Sequence, residues 1–136
     1  MSYFDELKRR GQEANPFFRM MGIEVGSIGE GTASLSMQVR PEMHNGVGWM
    51  QGGIFTAIAD EAMALALYTV ISPDERIATI SETTSFLKGA REGATLVATG
   101  RVVRKGRRVA FTESEVRKDT GEGEILARCA AAFAIL

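Results

Sequence analysis

The run from Ile54 to Val70 constrains this chain more than any other. Ile54, Phe55, Ile58, Met63, Leu65 and Leu67 recur there with five alanines between them, so a helix over these residues is apolar on nearly every side. A helix of that kind is surrounded by protein rather than laid on a surface. Its roughly 17 residues would span about 25 Å at a rise of about 1.5 Å per residue. Asp60 and Glu61 interrupt the run near its middle, which makes it a poor membrane span and a good buried helix. The flanking sequence must therefore cover it, and must also accommodate carboxylates that are costly to bury unpaired.

Residues 1–21 read as an N-terminal helical segment. Ser2 to Glu13 is amphipathic, with Phe4, Leu7 and Tyr3 on its apolar side, and Phe17 to Met21 adds another turn. Asn15-Pro16 separates the two, because the residue before proline disfavours helical geometry. The remaining flanks read as strands. Gly22 to Ser27 is extended, Ile28 to Gly31 is a turn, and Thr32 to Arg40 alternates, with Ala33, Leu35, Met37 and Val39 on one side. Pro41 stops that strand, and Glu42 to Gly53 is irregular. Beyond the break at Ser72-Pro73-Asp74 four strands follow: Ile77 to Leu87, Thr95 to Arg104, Arg107 to Arg117 and Glu124 to Ile135. Lys105-Gly106 and Asp119-Thr120-Gly121 are hairpin turns, and Lys88 to Gly93 is a looser connection. The expected fold is α+β, an antiparallel sheet of about five to six strands wrapped around one long central helix. At 136 residues the chain is sized for a single domain over 1–136. A sheet that covers a helix with one face leaves surface that needs a partner, which points to an oligomer.

Composition excludes several classes of function. A formal net charge of −1 offers no general field for nucleic acid or a membrane surface. The single cysteine, Cys129, allows no intrachain disulfide and reads as a buried, inert thiol in a strand. With one histidine and one cysteine no metal-ligand cluster of usual spacing can form, so no metal is expected. There is no phosphate-binding loop, no dinucleotide fingerprint and no Gly-x-Ser-x-Gly elbow. The first ten residues carry Asp5 and Glu6 and lack the apolar core of a signal peptide, so a cytoplasmic location is expected.

The chemistry is concentrated between Met43 and Asp60. Gly52-Gly53 opens the buried helix, and a helix start leaves backbone N–H groups aimed outward, where an anion or a developing oxyanion is favoured. Asp60 and Glu61 lie about 100° apart on the helix, so they face different neighbours. Each could serve chemistry, or simply reach solvent or cap a nearby loop.

The run Met43-His44-Asn45-Gly46, then Gln51-Gly52-Gly53, then Asp60 resembles the motif of the hotdog-fold thioesterases of the phenylacetate-degradation type. In that family an asparagine leads, six residues on, into His-Gly-Gly, and an aspartate follows nine positions beyond the histidine. Every spacing is met here, and the strand order is similar over Phe17 to Leu136. The resemblance implies an acyl-CoA thioesterase acting on an aromatic or short- to medium-chain acyl group. Coenzyme A enters only as part of the substrate, and no other cofactor is implied. Its sites would be shared between the subunits of a homodimer, itself paired into a homotetramer. In that scheme the Gly52 N–H is the oxyanion donor, with Gly53 beside it at the helix start. Asn45 positions the carbonyl or the attacking water, and Asp60 of the neighbouring subunit is nucleophile or general base. A hydroxyl residue that orients the water would be Thr79, with Ser81 and Thr83 as competitors because the alignment needs a one-residue shift. The motif's histidine is Gln51 here, which can hydrogen-bond but cannot exchange a proton near neutral pH. That leaves a second reading open, a non-catalytic acyl-CoA or acyl-carrier binding protein. A dehydratase or hydratase would want a histidine near Asp60, and none is near it in sequence. His44 reads as an ordinary loop histidine. Trp49 either lines an acyl pocket or packs the loop. The basic cluster around Lys105 reads either as a solvated hairpin tip or as a clamp on the phosphates of coenzyme A, through Arg104, Arg107 and Arg108.

Overall fold

A computed structural model describes residues 2–136. Helix α1 (Tyr3–Arg10) starts at a capping box in which the Ser2 hydroxyl accepts from the Asp5 N–H and Asp5 answers. It ends at Arg10 and passes into a single 3-10 turn, Gly11–Ala14, instead of running on to Glu13. Asn15 then caps α2 (Pro16–Met21), its Oδ1 accepting from the N–H groups of Phe17 and Phe18. Leu7 and Phe18 are buried and join the main core.

Six strands follow: β1 (Glu24–Gly29), β2 (Thr32–Gln38), β3 (Ile77–Phe86), β4 (Thr95–Lys105), β5 (Val109–Lys118) and β6 (Ile125–Ile135). They form one sheet in the order β1-β2-β4-β5-β6-β3, with every neighbouring pair antiparallel. The long helix α3 (Gly52–Tyr68) lies across one face. The fold is the α+β arrangement that the periodicity implies. The boundaries move slightly: α3 begins at Gly52 rather than Ile54, β1 runs on to Gly29, and β4 continues to Lys105, so Gly106, Arg107 and Arg108 make the hairpin tip.

Alternation explains how the sheet covers α3. Ala33, Leu35 and Met37 of β2 stand opposite Gly100, Ala98 and Leu96 of β4, and all six face the helix. Helix and sheet touch closely at Gly100, where a Cβ would collide with the Ala62 carbonyl oxygen. Only glycine permits that approach of two backbones.

β3 departs from strict alternation. It pairs Thr79 with Phe133 and then Ser81 with Ala132, leaving Ile80 as a bulge. The extra residue turns the pleat over. Thr79, Glu82 and Thr84 therefore stand opposite Phe133, Ala131 and Cys129, which are buried and face α3, while Ser81 and Thr83 face the other way. β3 is also an edge strand of ten residues whose outer row of backbone groups has no partner among the described residues, and Ile80 is 57% exposed there.

Candidate active site

The loop before α3 is folded on itself through Asn45. Its Oδ1 accepts from the N–H groups of Val47 (3.0 Å) and Trp49 (3.1 Å), while its own N–H donates to the Trp49 carbonyl. The Gln51 N–H reaches the Met43 carbonyl at 2.8 Å, and the Met50 N–H fixes the loop to Ala90. Among the described residues nothing holds the Asn45 amide Nδ2, so the loop spends the oxygen of this side chain and leaves its donor for something else. His44 Nε2 accepts from the Glu92 N–H at 2.9 Å, the ordinary loop role expected of it.

Gln51 is the N-cap of α3. Its Oε1 accepts from the Gly52 N–H at 2.9 Å, so the backbone donor that the motif assigns to an oxyanion already holds an amide oxygen. Gly53 lies exposed one residue further on, with nothing within 4 Å of where a Cβ would be. Against Gly52 stands the Phe86 ring from the end of β3, 3.4 Å from the Cβ that Gly52 lacks.

Asp60 is half-buried on the side of α3 turned toward β3. Thr79 Oγ1 donates to its Oδ1 at 3.1 Å, and one turn earlier on the same face the hydroxyls of Thr56 and Thr84 bond at 2.8 Å. Of the three hydroxyl candidates on this strand, the bulge brings Thr79 to Asp60 and turns Ser81 and Thr83 away. Two further carboxyls crowd Asp60. Burial and the Asp60 charge push Glu61 up to about 7. Burial, a hydrogen bond to Asp60 and the charges of Asp60 and Glu61 push Glu82 up to about 8. Glu82 is therefore largely protonated at neutral pH. Sequence reasoning missed it, because strict alternation would set it on the face opposite Thr79.

Gly52 and Asp60 are eight residues apart on one straight helix, about 12 Å of rise. A carbonyl held at the Gly52 N–H is thus out of reach of Asp60 in the same chain. The structure does not bring Arg104, Arg107 and Arg108 to Gly52 either. All three are exposed at the β4–β5 tip, and β4 is tied there to the other end of α3 through Val102, Gly31 and Thr69. They stand most of the helix length, about 25 Å, from Gly52 of their own chain. The cations that do lie near the loop are ones the sequence did not single out. Trp49 rests against Gly89, where a Cβ would come within 2.8 Å of the ring, and the Arg91 guanidinium stacks 3.9 Å from the ring centre. With Lys88 and Lys118 they border a hollow of about 430 Å³. No periodicity marks Arg91; the Met50–Ala90 and His44–Glu92 bonds on either side of it carry it to the loop.

Comparison with known proteins agrees with this architecture. The thioesterase superfamily matches residues 48–125, from the Asn45 loop's end through β3, β4 and β5. A Deinococcus radiodurans protein provisionally described as an esterase is 34% identical over 85% of this chain and 75% of its own length. The 1,4-dihydroxy-2-naphthoyl-CoA hydrolase of Listeria monocytogenes is 24% identical over 80% of this chain and 88% of that protein. Among solved structures, a mutant of the phenylacetic acid degradation protein PaaI from Thermus thermophilus superposes with a TM-score of 0.81 at 27% identity, covering 90% of this chain and all of that one. The chain belongs to the thioesterase superfamily, in its PaaI-like hotdog branch, and is a thioester hydrolase.

Proposed function

We propose that the protein hydrolyses the thioester of an aromatic or short- to medium-chain acyl-CoA, at sites built from the Gly52 end of one subunit and Asp60 of another. The observation that carries this reading is the Asp60 carboxylate on a buried helix, held by Thr79 at 3.1 Å and standing too far along that helix to serve its own Gly52. The free β3 edge supplies a way to join two copies. Two such edges pairing antiparallel about their midpoint would set residue 86 of one opposite residue 77 of the other. That places the partner's Phe86, and the Gly52 beside it, next to Thr79 and Asp60.

In the reaction the thioester oxygen displaces Gln51 Oε1 from the Gly52 N–H. Asn45 Nδ2 is the free donor nearby that would orient the carbonyl or the water. Asp60 then either removes a proton from water as the water oxygen adds to the carbonyl carbon, or adds itself and yields an anhydride that water cleaves. In both routes the Gly52 N–H carries the oxyanion, the C–S bond breaks, and the thiolate of coenzyme A departs and takes up a proton. Gln51 has no part in proton transfer; it holds the donor until substrate arrives. Gly53 and Trp49 border the entry. The phosphates meet Arg104, Arg107 and Arg108, delivered by another subunit of a homotetramer in the cytoplasm, and nothing beyond the substrate's coenzyme A is required.

Release of free thiol from a panel of aromatic and aliphatic acyl-CoAs tests the reading, and the preferred acyl group names the substrate. Tight binding of acyl-CoA with thiol release at background across the panel would overturn it in favour of a binding protein, the reading that Gln51 on the Gly52 N–H favours.

A further inference from the structure

The Glu82 carboxyl has no place in the mechanism above, yet it faces the centre of it. The bulge at Ile80 puts Thr79 and Glu82, three residues apart, on one face of β3 instead of opposite faces. That face is tied to α3 at two levels, Thr79 to Asp60 and Thr84 to Thr56, and Glu82 stands between those ties. Thr79 binds a single oxygen of Asp60, and one bond leaves a carboxylate able to rotate about its terminal torsion, which is broad. We propose that Glu82 is a positioning residue of the hydrolase: its carboxyl hydrogen-bonds Asp60 and, with Thr79, fixes the orientation in which Asp60 meets the thioester. This rests on the reading of Asp60 given above.

The bond requires a proton, since two carboxylates cannot hydrogen-bond each other. The groups acting on Glu82 all favour keeping that proton. From α3 they are Asp60 and Glu61, and burial acts with them; from β6 the facing titratable group is Cys129, a thiol whose own proton is held more tightly by burial. At neutral pH Glu82 therefore keeps its proton and can donate it to Asp60. When the pH rises past about 8 the proton leaves. Asp60 then loses a donor and gains a second negative charge beside it, at the place where an oxyanion and a thiolate must develop. Hydrolysis should accordingly fall on the alkaline side through loss of one proton.

The test is the pH dependence of kcat/KM for native protein, Glu82→Gln and Glu82→Leu. The native rate should fall about tenfold per pH unit above about 8. Glutamine keeps a donor that cannot ionise, so Glu82→Gln should stay within about threefold of native at pH 7 and lose the alkaline fall. Leucine removes the donor, and Glu82→Leu should lower kcat about tenfold at pH 7 with KM little changed, less than the roughly 100- to 10,000-fold contribution of an acid–base group itself. A residue that mattered only for folding would lower both variants and leave the shape of the profile intact. Native and Glu82→Gln profiles that coincide, or a Glu82→Leu rate equal to native at pH 7, overturn the proposal. Should either variant fail to fold, carboxyl-carbon NMR of the native protein decides alone. The Glu82 carboxyl is expected to titrate near pH 8, and a Glu82 that is already ionised below neutrality would sink it. This readout is independent of turnover, so a native protein that hydrolyses no acyl-CoA refutes the reading of Asp60 while the Asp60–Glu82 pair is still judged on its titration.

Discussion

Asp60→Asn should lower thiol release from acyl-CoA by about 1,000-fold, the middle of the range for removing a general base or nucleophile that acts alone. Asparagine is nearly the same shape. Its Oδ1 can still accept from Thr79 Oγ1, and its amide can donate to Glu82, so the contacts that seat α3 against β3 persist. What disappears is the negative oxygen that, in the proposed reaction, either attacks carbon or takes a proton from water. KM should change little, because the Gly52 N–H and the loop proposed to bind the carbonyl are untouched. The melting temperature should hold or rise, since one charge is removed from beside two crowded carboxyls. A variant that keeps more than about a third of native kcat would remove Asp60 from the chemistry.

Gly100→Ala should cost about 3 kcal/mol or more of stability, at or beyond the upper end for overpacking. The new methyl would collide with the Ala62 carbonyl oxygen and sit 2.5 Å from its carbon and 2.7 Å from the Met63 nitrogen. All three are backbone atoms in the middle of α3, so no rotamer change relieves them. Either the helix lifts from β4 or the strand bends away from Ala33, its partner in β2. For a domain of this size a loss of that order lowers the melting temperature by about 10 °C. Gly53→Ala is the control: nothing lies within 4 Å of its Cβ position, so its melting temperature should stay near native or rise. Thermal unfolding of the two variants side by side separates close approach from a general cost of replacing glycine.

Much of this architecture is legible in the chain itself. An all-round apolar helix must be wrapped, and the alternation of Ala33, Leu35, Met37 and Val39 shows one of the strands that wraps it. The spacing from Asn45 to Asp60 likewise needs no coordinates. What escapes are features that depend on one residue being out of step. Ile80 carries no glycine or proline signal, yet its bulge decides that Thr79 and Glu82 share a face and that Ser81 and Thr83 do not. Gln51, weighed in the sequence as a missing proton carrier, turns out to be a helix cap, because only the fold shows its Oε1 on the Gly52 N–H. In sequence the Arg104 to Arg108 cluster reads either as a solvated hairpin tip or as a phosphate clamp. In the fold it sits at the end of α3 opposite Gly52, while Arg91 reaches Trp49 from a connection that carries no pattern.

If Gly52 and Asp60 act as proposed, the roughly 12 Å of helix between them would make each chain half of two different machines. Two inactive proteins should therefore repair each other when mixed. In Gly52→Pro the donor N–H is gone, but proline suits the first turn of a helix, so α3 should still form. Exchange its subunits with those of Asp60→Asn, and every mixed pair unites the intact Gly52 of one with the intact Asp60 of the other. It thereby regains one working site, while its second site carries both defects. Random exchange makes half the pairs mixed, which sets the recovered rate at about a quarter of native. A protein whose sites each lay within one chain would recover nothing.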